Sequence, residues 1–148
     1  MRAALALCLL LGSGAPAQEP KKPDPKAEMK KLEGVWEGFV VEGKGERADR
    51  GPYQLRITVT GDKMTAVDLK NNKDMGSGTF KIDPTKSLKT LDATGVVPPA
   101  KRDKTYLGVY ELDGDTLKWC VDNRQRGERP TEFRSNNGNF LMILKRKK

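Results

Sequence analysis

Histidine is absent from the 148-residue chain, and its absence removes the commonest forms of side-chain catalysis. Ser-His-Asp and Cys-His nucleophiles need an imidazole base, and many zinc sites need imidazole ligands. No glycine-rich loop leads into a helix pattern, so phosphate binding of the P-loop type is excluded as well. The sequence therefore predicts a protein that is not an enzyme, with no catalytic, metal-binding or cofactor-binding residue.

The chain also lacks an apolar run long enough to cross a membrane. Its longest run, residues 3–11, falls well short of the ~20 residues that a spanning helix needs. The run follows Arg2 and precedes Ala15-Pro16-Ala17, which has the small residues of a cleavage site. This order is typical of a secretory signal peptide over residues 1–17. We expect no transmembrane segment, and export to the periplasm or the extracellular space.

Cysteine is scarce, since only Cys8 and Cys120 occur and Cys8 lies in the predicted signal peptide. The mature chain then has no intramolecular disulfide, so its core must stabilise the fold in an oxidising compartment. Cys120 is predicted to be a small structural residue on the outer face of its strand, because no histidine can activate its thiol. We expect a monomer, with pairing of Cys120 between two chains as the alternative.

Helical periodicity is nearly absent too. Residues 18–31 predict a Pro/Lys-rich tether, and residues 28–33 predict one helical turn that packs Met29 and Leu32 on the end of the domain. Over the domain, residues 32–148, short segments alternate apolar and polar side chains between turn residues. The predicted strands are residues 35–42, 53–60, 63–69, 76–82, 88–94, 105–112, 115–121 and 140–146.

Eight antiparallel strands with mostly short connections predict an all-β domain, a single up-and-down barrel without exposed edges. A β-sandwich is the alternative, but it would need longer crossing connections. The first strand starts at Gly34-Val35-Trp36, and a Gly-x-Trp at this place is typical of lipocalin-like barrels. Eight strands return the chain to the end where it began, so we expect Arg146 to cover the indole of Trp36 there.

The dipeptide Asp113-Gly114 between alternating apolar residues predicts a two-residue hairpin loop. That loop would pair Leu112 with Asp115 and Gly108 with Trp119, and the missing side chain at Gly108 would leave space for the indole. The same rule at residues 61–62 turns Asp68 inward, opposite Leu55. A buried carboxylate is costly, so Asp68 needs a hydrogen-bond partner, water or a bulge that turns it outward.

Four aromatic residues that the pattern turns inward are candidates for ligand binding: Tyr106, Tyr110, Trp119 and Phe80. The loops opposite Trp36, here called the rim, are residues 43–52, 70–75, 95–104 and 122–130, and they carry eleven basic and six acidic residues. A basic rim above an apolar lining suits a small apolar, amphipathic or anionic ligand. Exposed loops also carry Lys and Arg without a ligand. The alternative is therefore a filled barrel that acts as a protein-interaction or cell-envelope module.

Net charge alone does not indicate nucleic acid as a partner. The chain has a formal charge of +8, but its basic residues are spread along the sequence and the domain is predicted to be exported. The residues that we expect to be structural are the two turn residues Asp113 and Gly114, the glycines Gly34 and Gly108, and the pair Trp36 and Arg146.

Several short segments of the chain together carry a resemblance to a known family: LEGVW (32–36), TGDK (60–63), GTFKIDPTK (78–86), YLGVYELDGDTLK (106–118), ERPTEF (128–133) and LKR (144–146). With these segments the chain resembles the small secreted domain of uncharacterised function that is abundant in planctomycete bacteria. The resemblance implies a lipocalin-like barrel and export, and it implies no activity and no functional residues. Trp119 departs from the family pattern, in which we expect an aliphatic residue there.

Overall fold

The structure, a computed structural model, describes residues 22–96, 103–124 and 127–148. These residues form one helix followed by strands that close into an antiparallel eight-strand barrel, which confirms the predicted fold class. The predicted signal peptide lies outside the described residues. The elements are α1 (Pro25–Leu32), β1 (Gly34–Val41), β2 (Tyr53–Thr60), β3 (Lys63–Asp68), β4 (Lys73–Asp83), β5 (Thr90–Val96), β6 (Lys104–Tyr106), β7 (Gly108–Asp113), β8 (Thr116–Asp122) and β9 (Asn139–Arg146).

The topology is up-and-down. Apart from β6 and β7, each strand pairs with its neighbours in the chain, and β1 closes the barrel against β9. The predicted sixth strand is interrupted at Leu107, so that β6 and β7 both pair with β5 and together occupy one place in the barrel. Residues 131–133 form no strand, and within residues 127–138 the only bridge is the isolated pair Gly43–Ser135.

The β7–β8 hairpin differs from the predicted register. Its loop is Gly114-Asp115, closed by the pair Asp113–Thr116, so Gly108 faces Val121 and Tyr110 faces Trp119. Of the two loop residues only Gly114 has a positive φ, 53°, and turns of type II′ need glycine at this first position. The predicted register, with Gly108 opposite Trp119, is therefore wrong by two residues. The residues of β7 and β8 nevertheless lie on the faces that were predicted, because a shift of two residues preserves the alternation of inner and outer side chains.

The helix α1 starts inside the segment that the sequence assigns to a tether. Asp24 caps it by accepting a hydrogen bond from the backbone of Lys26 at 3.0 Å, and Pro25 suits the first turn of a helix. The helix buries Leu32 and also Glu28, which is only 5% exposed. Its packing against the barrel places the start of the folded region near residue 24 rather than at residue 32.

Glu28 is buried, and its carboxylate contacts two lysines and a phenol. Its carboxylate contacts the ammonium groups of Lys89 and Lys31, and the hydroxyl of Tyr110 donates to it at 3.4 Å. Burial raises the pKa of Glu28, but the hydrogen bonds and charges of Lys89 and Lys31 outweigh burial and lower it below its ordinary value. Burial and the carboxylate of Glu28 raise the pKa of Tyr110. These contacts fix α1 on the barrel.

Trp36 and Arg146 meet beneath α1, as predicted, and with the helix they form the closed end of the barrel. Trp36 is fully buried and pairs with Arg146 across the strands, and the guanidinium carbon lies 4.1 Å from the centre of the indole. Arg146 donates to the carbonyl oxygens of Lys31 and Glu33, each at 2.6 Å. Gly34 has a φ of 125°, which favours glycine, and a Cβ there would lie 2.9 Å from a guanidinium nitrogen of Arg146.

The outer face of β1, β7, β8 and β9 carries a second apolar cluster. Cys120 lies on this outer face, as predicted, but it is fully buried rather than part of a mixed surface. The loop after β8 covers it with Phe133, and its thiol donates to the carbonyl of Arg134 at 3.5 Å. Burial raises the pKa of the Cys120 thiol, so the thiolate is disfavoured.

Asp68 remains on the inner face opposite Leu55, as the register predicts. Although it is only 2% exposed, it has partners in the rim, because Asn71 donates from its side chain at 2.7 Å and Lys70 from its backbone at 2.9 Å. The hydrogen bond from Asn71 is the largest cause that holds the pKa of Asp68 below its ordinary value. The carboxylate therefore stays buried and charged without a bulge that turns it outward.

Candidate functional site

A small cavity lies in the half of the barrel formed by β3 to β6, with a volume of about 100 Å³. Two of the predicted ligand-binding residues, Tyr106 and Trp119, line it. The remaining lining residues are Met64, Ala66, Met75, Gly76, Ser77, Gly78, Thr79, Ala93, Thr94 and Gly95. The lining is thus mostly apolar, and none of these residues carries a charge.

The cavity exists because small residues pair with one another in the strands that form its wall. Gly78 pairs with Gly95 between β4 and β5, and Ala66 pairs with Gly76 between β3 and β4. A side chain at Gly78 would lie 2.0 Å from the backbone oxygen of Thr94, so no larger residue fits at that close approach of the strands. The space is therefore set by backbone geometry.

A β-bulge places Met75 at the edge of this cavity. Ala66 faces Gly76 and Val67 faces Asp74, so Met75 is the extra residue without a cross-strand partner. The carboxylate of Asp74 accepts the backbone N–H of Gly76 at 2.8 Å, and Gly76 has a φ of 125° that favours glycine. The half-buried side chain of Met75 thereby packs against the inner core beside Tyr106.

Trp119 is fixed by its neighbours. Its indole N–H donates to the carbonyl of Leu91 at 3.2 Å, and a side chain at Gly108 would lie 2.5 Å from the indole nitrogen. The space that Gly108 leaves for the indole is as predicted, although the two residues are not a cross-strand pair. The ring is 6% exposed and reaches the cavity with one part of its surface.

The contact between β5 and β7, here called the seam, is short, and the hydrogen bond from Trp119 to Leu91 lies beside it. Only Thr90 and Val109 form a ladder pair there, because the strand is interrupted at Leu107. Arg129 bridges the seam by a bidentate contact with Asp92 and a hydrogen bond of 2.7 Å to the carbonyl of Gly108. Its hydrogen bond with Asp92 raises the pKa of Arg129. Sequence reasoning missed this pair, since Arg129 was counted only as a rim charge.

The other two candidate ligand residues lie elsewhere. Tyr110 is 1% exposed and its hydroxyl contacts Glu28 at the closed end, so it does not line the cavity. Phe80 is 2% exposed within the inner core and is also not a lining residue. Tyr106 and Trp119 therefore share the wall of the cavity, whereas Phe80 and Tyr110 lie outside the lining, although Tyr110 is the cross-strand partner of Trp119.

The structure describes eight of the eleven basic rim residues and all six acidic ones, since Lys101, Arg102 and Arg126 lie outside the described residues. Of these eight, Arg129 is paired with Asp92. The preference of the rim for an anion therefore stays a prediction.

No group of three or more Cys, Asp or Glu side chains is arranged to hold a metal ion in the part of the chain that the structure describes. Within the same ranges, no helix has the length and apolar character needed to cross a membrane. Compared with known proteins, the chain matches no family model, no curated protein and no solved structure.

Proposed function

We propose that this barrel binds the apolar part of a small apolar or amphipathic molecule in the cavity lined by Tyr106 and Trp119, and that it performs no catalysis. The cavity is the observation that carries the proposal. Its lining combines two aromatic rings and two methionines with a wall of glycine and alanine, an apolar surface with a few polar groups that is common in ligand sites. The absence of histidine is consistent with binding alone.

The size of the cavity limits what it can hold. Pockets that enclose a drug-sized ligand have about 300–1,000 Å³. A cavity of about 100 Å³ can enclose only the end of such a molecule, with the remainder at the half-buried edge near Met75 and Tyr106. We therefore propose a holder of a small apolar group, not a carrier that encloses a whole lipid.

The cellular setting is part of the same proposal. We propose that the protein acts as an exported monomer in the periplasm or outside the cell, and that it belongs with the planctomycete-type secreted domains. The apolar leader over residues 1–17 supports export, and the matching segments over residues 32–146 support the relationship. The buried thiol of Cys120 supports a monomer, because a thiol below the loop of Phe133 is not accessible to a second chain.

Fluorescence of Trp119 tests ligand binding directly. The chain has two tryptophans, so Trp36→Phe leaves Trp119 as the single indole fluorophore beside the cavity. We expect saturable changes in its emission when small apolar and amphipathic compounds are titrated. Ala93→Leu should fill the cavity and abolish the response without lowering the melting temperature.

Ala27→Leu, at an exposed position in α1, is the matched control, since the same change there leaves the cavity intact. If an extended panel of neutral and anionic compounds changes neither the emission nor the melting temperature, the binding proposal is wrong.

A filled barrel that acts through its surface is the second candidate, because the interior outside the cavity is packed. Trp36, Tyr110, Leu91, Leu117 and Leu144 are each at most 1% exposed. A surface module would give an unchanged Trp119 emission with every ligand. Cross-linking of the exported protein in its own host should then capture one dominant envelope protein. That cross-link should also form with the Ala93→Leu variant.

A further inference from the structure

We infer that the cavity selects one electrically neutral aromatic ring over an alkyl group of equal size. This inference rests on the proposed ligand binding and narrows its ligand class. Two features carry it: the small volume, and the concentration of Met64, Met75, Tyr106 and Trp119 around one space.

The volume sets the first limit. An engineered apolar cavity of ~150 Å³ in another protein stays dry and binds benzene. A cavity of about 100 Å³ is of the same order, so it accommodates one six-membered ring and not the extended chain of a fatty acid. The wall of Gly76, Gly78 and Gly95 has no side chains that could move aside to enlarge it.

The side chains around the cavity favour an aromatic ring over an alkyl group. A thioether gains ~0.3–1.5 kcal/mol from contact with an aromatic ring, and paired rings gain a similar amount beyond the area that they bury. An alkyl group receives neither contribution. Trp119 is held by Leu91 and Gly108, so its ring is in position before the ligand binds. Met75 is held at its place by the bulge, while its flexible side chain can adapt to the ring.

The described lining residues carry no charge, which favours an electrically neutral ligand, because a charged group would lose its hydration in the cavity without an opposite charge to pair with. The hydroxyl of Tyr106 forms no hydrogen bond with the described residues, so it can pair with a polar substituent on the ring. A ring with one hydroxyl group fits both conditions.

Phenol and cyclohexanol form the test pair, because both have six ring carbons and one hydroxyl and differ in aromatic character. Binding to the Trp36→Phe protein is measured by calorimetry and by Trp119 emission. We expect phenol to bind about two- to tenfold more tightly, which corresponds to the energy of one sulfur–ring contact. Met64→Leu and Met75→Leu should bring the ratio towards one, while Met29→Leu, a similar change at α1, should leave it unchanged.

The outcomes separate the two proposals. Equal binding of phenol and cyclohexanol refutes the ring preference and leaves ligand binding in place. Tighter binding of decanol than of phenol refutes the size limit. If no compound changes the emission, the melting temperature or the heat of mixing, both the ring preference and the proposed function are refuted.

Discussion

Arg146 is the residue whose replacement tests the closed end most directly. It donates to two carbonyl oxygens at the end of α1 and lies over the ring of Trp36. A hydrogen bond from a charged group contributes ~1.5–3 kcal/mol, and a cation–π contact ~0.5–2 kcal/mol. Since the side chain of Arg146 is 27% exposed, water replaces part of the loss. We expect Arg146→Ala to lower the free energy of unfolding by roughly 2–4 kcal/mol.

Two further variants separate the contributions at this end. Arg146→Lys keeps the charge over the indole, but one ammonium cannot reproduce the planar fork that contacts both carbonyls, so about half of the loss should remain. A double-mutant cycle of Arg146→Ala with Trp36→Leu, which removes the aromatic ring, measures the coupling between the two side chains, which we expect to be ~0.5–2 kcal/mol. Trp36→Ala should cost ~3–5 kcal/mol, because it also empties a fully buried site.

The assay is urea unfolding followed by far-UV circular dichroism, which does not depend on tryptophan. Lys148→Ala is the matched control. Lys148 is a cation two residues away that is 88% exposed and lies 3.8 Å from Asp115, so its loss should be undetectable. If Arg146→Ala unfolds at the same urea concentration as Lys148→Ala, the contacts of Arg146 with α1 and Trp36 do not stabilise the fold. If the cycle gives no coupling, the contact between Arg146 and Trp36 contributes nothing to stability.

Three more predictions concern other parts of the barrel. Gly108→Ala should cost ~1–3 kcal/mol, because its Cβ would lie 2.5 Å from the indole nitrogen of Trp119 and displace the ring. The displacement should shift the tryptophan emission, and an unshifted emission would contradict this prediction. The lowered pKa of Glu28 means that the unfolded chain binds more protons as the pH falls, so its contribution is complete above about pH 4.5 and declines as the pH falls through the folded pKa. Glu28→Gln should therefore flatten the acid side of the stability profile, and an unaltered profile would contradict this. Cys120 should react with a thiol reagent only after denaturation, and a disulfide-linked dimer on non-reducing gels of the exported protein would contradict its burial.

The parts of the fold that follow from strand parity could be predicted from the sequence. An even number of up-and-down strands returns the chain to its starting end, and so Arg146 could be placed over Trp36 without coordinates. The alternation of apolar residues likewise placed Asp68 inside and Cys120 outside. The hairpin register was wrong because Asp113-Gly114 was taken as the loop, whereas the positive φ of Gly114 belongs at the first loop position.

The parts that could not be predicted depend on contacts between distant residues. Nothing in the local pattern shows that the strand breaks at Leu107 or that Arg129 then bridges to Asp92. The exact place and the small size of the cavity could not be predicted either, because its wall comes from glycines that carry no hydrophobic signal in a periodic pattern. Sequence reasoning grouped Tyr106, Tyr110 and Trp119 by face, but it could not show that the hydroxyl of Tyr110 contacts Glu28 at the closed end instead of lining the cavity.

The pairing of β1 with β9 has a consequence for the order in which the barrel can form. The hydrogen bond from Arg146 to Glu33 joins residues 113 positions apart, so no local sequence of hairpins can complete the closed end. Before β9 is in place, β1 and β8 each present an unpaired edge and the indole of Trp36 lacks its cover. Contacts of such long range slow folding, and open edges favour association between chains. The folding intermediate most prone to aggregation should therefore be the one that awaits its last strand.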